Sequence, residues 1–236
     1  MTRRRWIADQ VSGDRAVLLG EHAAHLARVL RAQVGQKFDI AADGIVRRGR
    51  VLSVAEERVE FELEEEVQAT PLAQVTLALA IFKFDRMEWA IEKCTELGVR
   101  RIVPFAARRT DAHLATAAVK RVERWRRIAR EAAEQARRAA PPEIANPVKL
   151  RDVLALQGEP RIVLSEVETA TSLGELCASG GGSSLLLAIG PEGGWTNEEL
   201  QAFAEAGWKA ASLGPTILRA ETAAIAALAV VMAYGA

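Results

Sequence analysis

Gly190, Gly193 and Gly194 flank a single carboxylate in the string Ile189-Gly190-Pro191-Glu192-Gly193-Gly194-Trp195. A second glycine turn follows in Leu213-Gly214-Pro215-Thr216-Ile217-Leu218-Arg219. Glycine lets the backbone come close to a ligand, and its uncovered N–H groups can donate to it. The same residues also suit a plain strand-to-helix turn, and at this point both readings stand. Spacing argues against two nucleotide chemistries. A phosphate-cradling loop needs Gly-x-x-x-x-Gly-Lys-Ser/Thr, and no lysine follows these glycines; nor is Gly-x-Gly-x-x-Gly present. Glu192 would also repel a phosphate. The two loops suit a ligand without phosphate, including a cationic one.

These turns need elements to hold them. The apolar run at 185–189 reads as a buried strand ending at the first turn. Thr196 with Glu199 forms a capping box for a helix through Phe203 and Ala206. The pattern repeats with a short strand at 210–213 and an apolar helix at 222–234. Both loops would then lie at the carboxyl ends of strands, where open α/β sheets bind ligands. Upstream, 75–82 reads as a strand. A helix capped by Asp85 follows, with Met87, Ala90, Ile91 and Cys94 at helical spacing and Gly98 at its end, and then a strand at 101–105. Strand, helix, strand is the unit of a parallel sheet. A further strand is expected at 161–165, with Ser172 and Glu175 capping the helix after it and Gly180-Gly181-Gly182 as a flexible turn. Residues 116–139 read as one long amphipathic helix. Val122, Trp125, Ile128, Ala129, Ala132 and Ala133 lie on its apolar side, and Lys120, Arg121, Arg124, Arg127 and Arg138 lie away from it.

The chain has 236 residues, half of them hydrophobic, and a formal net charge of zero, as expected of a globular protein with an ordinary core. Cys94 and Cys177 are far apart and suggest neither a zinc site nor a disulfide framework, which fits a reducing cytoplasm. The amino terminus, Met1-Thr2-Arg3-Arg4-Arg5-Trp6, is basic but has no signal-type apolar run after it. The run at 223–234 falls short of the ~20 residues that span a bilayer. Charge is unevenly spread. Residues 1–50 carry ten Lys/Arg against five Asp/Glu, 51–70 carry seven acids and one arginine, and 100–138 carry twelve bases and four acids. Two basic blocks can present a face to nucleic acid or be solvated helix faces. Residues 1–70 read as a small β-rich domain, with Glu60, Glu62 and Glu64 on a wet strand face, and 74–236 as a larger α/β domain. The boundary falls at Gln68-Ala69-Thr70-Pro71-Leu72. His22 and His25 have no evident third ligand and read as surface or capping histidines, with no metal.

Two strings, IGPEGGWTNEEL and SLGPTILRAETAAIAAL, resemble the carboxyl-terminal signature of the RsmE-type 16S ribosomal RNA uracil-N3 methyltransferases of the SPOUT superfamily. The strings KFDRMEWAIEKCTELGVRRIVPF and His25-Leu26-Ala27-Arg28-Val29-Leu30-Arg31 are similar to the same family, so the resemblance covers nearly the whole chain. Trp195 departs from it, where an aromatic such as Phe is more usual, and so does Pro215-Thr216. The resemblance implies an α/β fold: a SPOUT-type parallel sheet with a deep trefoil knot at its carboxyl end, preceded by a PUA-like β-barrel that helps hold RNA. It further implies a homodimer that binds S-adenosylmethionine (SAM) in a bent shape. Carried over to this chain, the cofactor-binding positions are Leu164, Ile189, Gly190, Pro191, Glu192, Gly193, Gly194, Leu213, Gly214, Ile217, Leu218 and Arg219. Arg28, Arg31, Lys83 and Arg86 become RNA contacts, and Glu131 with Gln135 matches a family Glu-x-x-x-Gln element.

The implied reaction has a clear demand. Uracil N3 is protonated near neutrality, so the enzyme must remove that proton or stabilise the anion. Arg219, always charged and able to bond a uracil carbonyl oxygen, is expected to take the second task. Glu192 or Glu221 can be considered as the base, though a carboxylate of ordinary pKa suits that job poorly, and Glu192 can instead pair with the cationic end of SAM. The uridine must be single-stranded or flipped to expose N3. The expected partner is 16S rRNA or the small ribosomal subunit, in the cytoplasm. The alternatives are a related methyltransferase acting at another RNA position and a non-catalytic RNA-binding or assembly protein.

Overall fold

Alternation of apolar and polar residues governs the first part of the chain, because its strands bury one face and wet the other. The computed structural model describes residues 5–68, 73–178 and 184–234. The basic residues at 1–4, the expected boundary at 69–72 and the turn at Gly180-Gly181-Gly182 lie outside them. The fold is mixed α/β, with one six-stranded sheet and one parallel sheet. Two compact units form: Met1–Pro71 with Arg130–Pro141, and Leu72–Ala129 with Pro142–Ala236.

In the smaller unit, β1 (Trp6–Ile7), β2 (Gln10–Ser12), β3 (Arg15–Leu19), β4 (Lys37–Ala42), β5 (Ile45–Ala55) and β6 (Arg58–Glu66) form a sheet ordered β1-β4-β5-β6-β3-β2. All pairs are antiparallel except β1 with β4. A short helix α1 (Gly20–Ala24) and a π-helical turn (His25–Val29) join β3 to β4. Val51, Val59 and Phe61 point into a core with Trp6, Leu18, Leu26 and Ile40. On the other face of the sheet, opposite charges meet across the strands. Lys37 reaches Glu64 at 2.6 Å and Arg50 pairs with Glu62 and Glu64, while Arg48 reaches Asp39 at 2.7 Å. The acidic block at 51–70 thus neutralises part of the basic block that precedes it. The histidines are placed by packing. His22 and His25 lie against the Trp6 ring, and His22 Nε2 is 3.5 Å from Glu134, a fully buried carboxylate that also accepts from the Ile7 N–H. No group of three or more His, Cys, Asp or Glu among the described residues is arranged to hold a metal.

The larger unit is built on a parallel sheet. Its strands are β7 (Val75–Ala80), β8 (Arg101–Ala106), β9 (Glu143–Ile144), β10 (Val148–Lys149), β11 (Arg161–Leu164), β12 (Leu185–Ile189) and β13 (Lys209–Ala211). They run in the order β10-β8-β7-β12-β11-β13, with β9 also beside β8. The helices are α2 (Phe84–Leu97), α3 (Ala112–Ala118), α4 (Val122–Gln135), α5 (Leu150–Leu154), α6 (Leu173–Ala178), α7 (Asn197–Glu205) and α8 (Ala220–Ala233). The central strands are apolar throughout because both faces are covered. Val75, Leu77 and Leu79 join α2 and α8 in one core. Ala78, Ala80 and Ala188 face the other way, where their small side chains leave room for Phe105, Trp195, Phe203 and Trp208. Those rings contact in series at centroid distances of 6.1, 5.0 and 5.1 Å. Burial holds the Cys94 thiol neutral, pushing it up to about 12.

Three local readings need correction. The helix expected over 116–139 is broken. Asp111 caps α3 by accepting from the His113 and Leu114 N–H groups, a 3-10 turn (Val119–Arg121) follows, and α4 stops at Gln135. Beyond that point Arg137 is left-handed at φ 58°, so helical periodicity no longer governs Arg138, which is buried rather than on an outer face. Asp85 does not cap α2. The helix begins one residue earlier, at Phe84, and Asp85 falls in the first turn, where its charge still meets the helix dipole favourably. The return of 130–141 to the smaller unit had no signal in composition or spacing.

Candidate functional site

The carboxyl ends of β11, β12 and β13 open onto a cavity of about 430 Å³. Each strand contributes the loop that follows it. Leu164, Ser165 and Glu166 come from the end of β11, the stretch from Ile189 to Glu192 with Gly194 and Trp195 from β12, and the stretch from Ala211 to Arg219 from β13. The structure therefore brings Leu164, Ile189, Gly190, Pro191, Glu192, Gly194, Leu213, Gly214, Ile217, Leu218 and Arg219 to one concavity. Gly193, also expected at the cofactor, is not among the lining residues. Arg86, expected at RNA, also lines the cavity. Lys83 is exposed at the N-cap of α2, while Arg28 and Arg31 are exposed on the smaller unit, where Arg28 pairs with Glu56.

The loop after β12 owes its shape to three clamps. Trp195 is the buried one. Its Nε1–H donates to the Leu164 carbonyl oxygen at 2.7 Å, its ring stacks on Phe105, and its edge lies against Gly190, where a Cβ would come within 2.9 Å of the indole. Arg109, from the loop after β8, donates to the Gly193 carbonyl at 2.7 Å and lays its stem along that glycine. Arg86 donates to Glu192 at 2.6 Å and lies 3.7 Å from Glu221. The capping box then starts α7, with Thr196 and Glu199 bonding reciprocally and the second Glu199 oxygen accepting from the Arg108 N–H at 2.8 Å. Ser172 and Glu175 form the corresponding pair before α6, and donation from the Ser172 N–H and hydroxyl holds the Glu175 carboxyl below its usual range.

Two charges on the cavity wall are left open. Arg219 is exposed at the N-cap of α8, where its carbonyl accepts from the Ala223 N–H, but its side chain makes no hydrogen bond or ion pair with a described residue, and neither does that of Glu166. Ile217 beside Arg219 is 85% exposed, an apolar side chain at the mouth with nothing packed on it. Glu221 is 6% exposed and one of its oxygens has no partner, as does the buried Ser165 hydroxyl. An apolar wall and unpaired charges together suit a small polar molecule with an apolar part. Sequence reasoning passed over Ser165, Glu166 and Arg109. Their only signal was position, since each lies within three residues of the carboxyl end of a strand in a parallel sheet.

A family model for an RNA methyltransferase domain matches residues 68–232. The chain belongs to that RNA methyltransferase family. Ribosomal RNA small subunit methyltransferase E of Bacillus subtilis is 33% identical over 226 residues, covering 91% of this chain and 88% of that protein. Its Mycobacterium tuberculosis counterpart is 36% identical over 233 residues, covering 93% and 87%. Among solved structures, ribosomal RNA small subunit methyltransferase E from Neisseria gonorrhoeae bound to S-adenosyl methionine superposes with a TM-score of 0.84 at 30% identity, over 96% of this chain and 95% of that one. A putative methyltransferase of Legionella pneumophila in complex with SAM gives a TM-score of 0.83 at 28% identity, over 98% and 96%.

Proposed function

We propose that this RNA methyltransferase uses SAM to methylate N3 of one uridine in 16S rRNA of the small ribosomal subunit. The observation that carries the reading is the cavity itself, formed by the two glycine loops and Arg219 in a chain similar over nearly its full length to small-subunit rRNA methyltransferases. The fit to SAM rests on the chain's own residues. Gly190 and Gly194 let the Trp195 indole and the Glu166 carboxylate pack against the loop, Leu213 and Leu218 offer apolar surface, and the lining residues include no phosphate-binding lysine. SAM supplies a methyl group already activated on a sulfonium, so the protein's task is alignment and control of charge. Arg219, unpaired at the cavity mouth, binds a uracil carbonyl oxygen and stabilises the anion formed when N3 loses its proton. Glu192 is engaged by Arg86, and Glu221 is buried behind the same arginine. Arg86 therefore orders the carboxylates of the site.

Further parts of the reading belong here too. The position of β12 between β7 and β11 supports a trefoil knot, since the chain returns to the middle of a sheet it has already left. Six strands around a single core support a PUA-like role for residues 1–70 in holding RNA, with Arg28 and Arg31 as contacts. The alanine-rich α8, with Ala229, Ala233 and Tyr234 exposed, supports a close-packed homodimer. No described helix is long and apolar enough to cross a membrane, and we place the reaction in the cytoplasm. Methyl transfer from labelled SAM to small subunits and to naked 16S rRNA, taken from cells lacking the protein, tests the function. Mapping is expected to give N3-methyluridine at one position. Arg219→Ala should lower transfer by 100-fold or more, on the order of ~3 kcal/mol of lost charge stabilisation, while SAM binding by calorimetry changes little. A normal rate in the variant removes Arg219 from the mechanism.

A further inference from the structure

Glu166 is the one cavity-lining carboxylate without a partner in the described residues: Glu192 is held by Arg86, but Glu166 makes no hydrogen bond or ion pair. It lies two residues past the end of β11 and against Gly194, whose φ is 71° and whose missing side chain leaves the space that the Glu166 carboxylate occupies. An exposed carboxylate that the fold does not use is free to serve a ligand. We propose that Glu166 accepts hydrogen bonds from the ribose hydroxyls of the methyl donor and so sets the preference of the cavity for a ribonucleoside. This rests on the reading of the cavity as a SAM site.

Charge decides between the donor groups available on such a ligand. Arg109 Nη1 lies 3.8 Å from the point where a Gly194 Cβ would stand, so a guanidinium is already close by on the Glu166 side of the loop without forming an ion pair with it. A ligand ammonium would meet that guanidinium's repulsion, whereas a neutral hydroxyl pair would not. Two adjacent hydroxyls also match the two oxygens of one carboxylate, and an acidic side chain on ribose hydroxyls is an established solution in other nucleotide-binding α/β folds. Because Glu166 is exposed and makes no hydrogen bond or ion pair with a described residue, its removal should change thermal stability little.

Calorimetric titration with S-adenosylhomocysteine and its 2′,3′-dideoxy derivative tests the proposal. Glu166→Ala should bind the parent compound about tenfold more weakly than wild type but the dideoxy compound equally well, as loss of a charged-acceptor hydrogen bond requires. Glu166→Gln, which keeps one carbonyl acceptor, should fall between. Equal weakening of both ligands, or of neither, overturns the assignment. So does an effect that disappears only when the ligand lacks its amino group. If wild type binds neither compound, the reading of the cavity as a methyl-donor site falls as well, whereas binding that ignores the hydroxyls overturns the role of Glu166 alone.

Discussion

Gly194, Gly190 and Gly193 look equivalent in the sequence, yet the structure uses them differently. Gly194 has φ 71°, a region that costs a non-glycine residue about 1–3 kcal/mol, and its missing side chain is replaced by the Glu166 carboxylate. Gly190 has ordinary backbone angles, but a Cβ there would come within 2.9 Å of the rigid, buried Trp195 ring. At Gly193 the nearest neighbour is the Arg109 stem at 3.2 Å, an exposed and flexible chain that can yield. Alanine substitutions should therefore rank by cost. Gly194→Ala and Gly190→Ala should each weaken SAM binding tenfold or more and lower the thermal midpoint, and Gly193→Ala should do little of either. Titration calorimetry and thermal unfolding of the three variants check this order, and a Gly193→Ala defect as large as the others would refute it. The run of glycines marked the loop in the sequence. Their separate roles were not legible, because φ and the neighbours Trp195, Glu166 and Arg109 arise only on folding.

At the level of elements, the ends of β11 and β12 are tied by one indole. Trp195 Nε1–H donates to the Leu164 carbonyl in a buried setting, and phenylalanine, the more usual residue in the resembling family, has no donor there. Trp195→Phe should preserve the stacking on Phe105 but leave that carbonyl unpaired, costing about 1–3 kcal/mol of stability. Chemical denaturation measures the cost, and a variant as stable as wild type would mean the carbonyl finds another donor. The elements themselves were the most legible layer. The apolar run at β12, the Thr196–Glu199 capping box and the strand-helix-strand of β7, α2 and β8 follow from periodicity and local hydrogen bonding. What failed depended on distant contacts. The 3-10 turn between α3 and α4 and the burial of Arg138 past the left-handed Arg137 are breaks in a periodicity that the apolar stripe alone does not show. The pairing of Arg86 with Glu192 was not legible for the same reason, since Glu192 lies far along the sequence and only the fold makes it a neighbour.

For the molecule as a whole, the question is how much of its basic charge is available to RNA. Most arginines of the two basic blocks are already engaged. Arg50 pairs with Glu62 and Glu64, Arg48 with Asp39, Arg124 with Glu88, and Arg130 with Asp9, while Arg126 binds Glu123 and the Ile144 carbonyl. Exposed pairs of this kind are individually weak, so each arginine can in principle exchange a carboxylate for a phosphate. The exchange would leave the abandoned carboxylate beside the phosphate, and that repulsion offsets much of the gain. Phosphate contacts should therefore fall to the few uncommitted cations, such as Arg31 and Lys83. Affinity for single-stranded rRNA should then decline gently with salt, with a slope of log K on log salt of about −3, equivalent to roughly four neutralised phosphates. Filter binding over a range of potassium chloride concentrations gives the slope directly. A value of about −6 or steeper would mean that the ion pairs open on binding and that the neutral net charge conceals a basic surface recruited by the RNA itself.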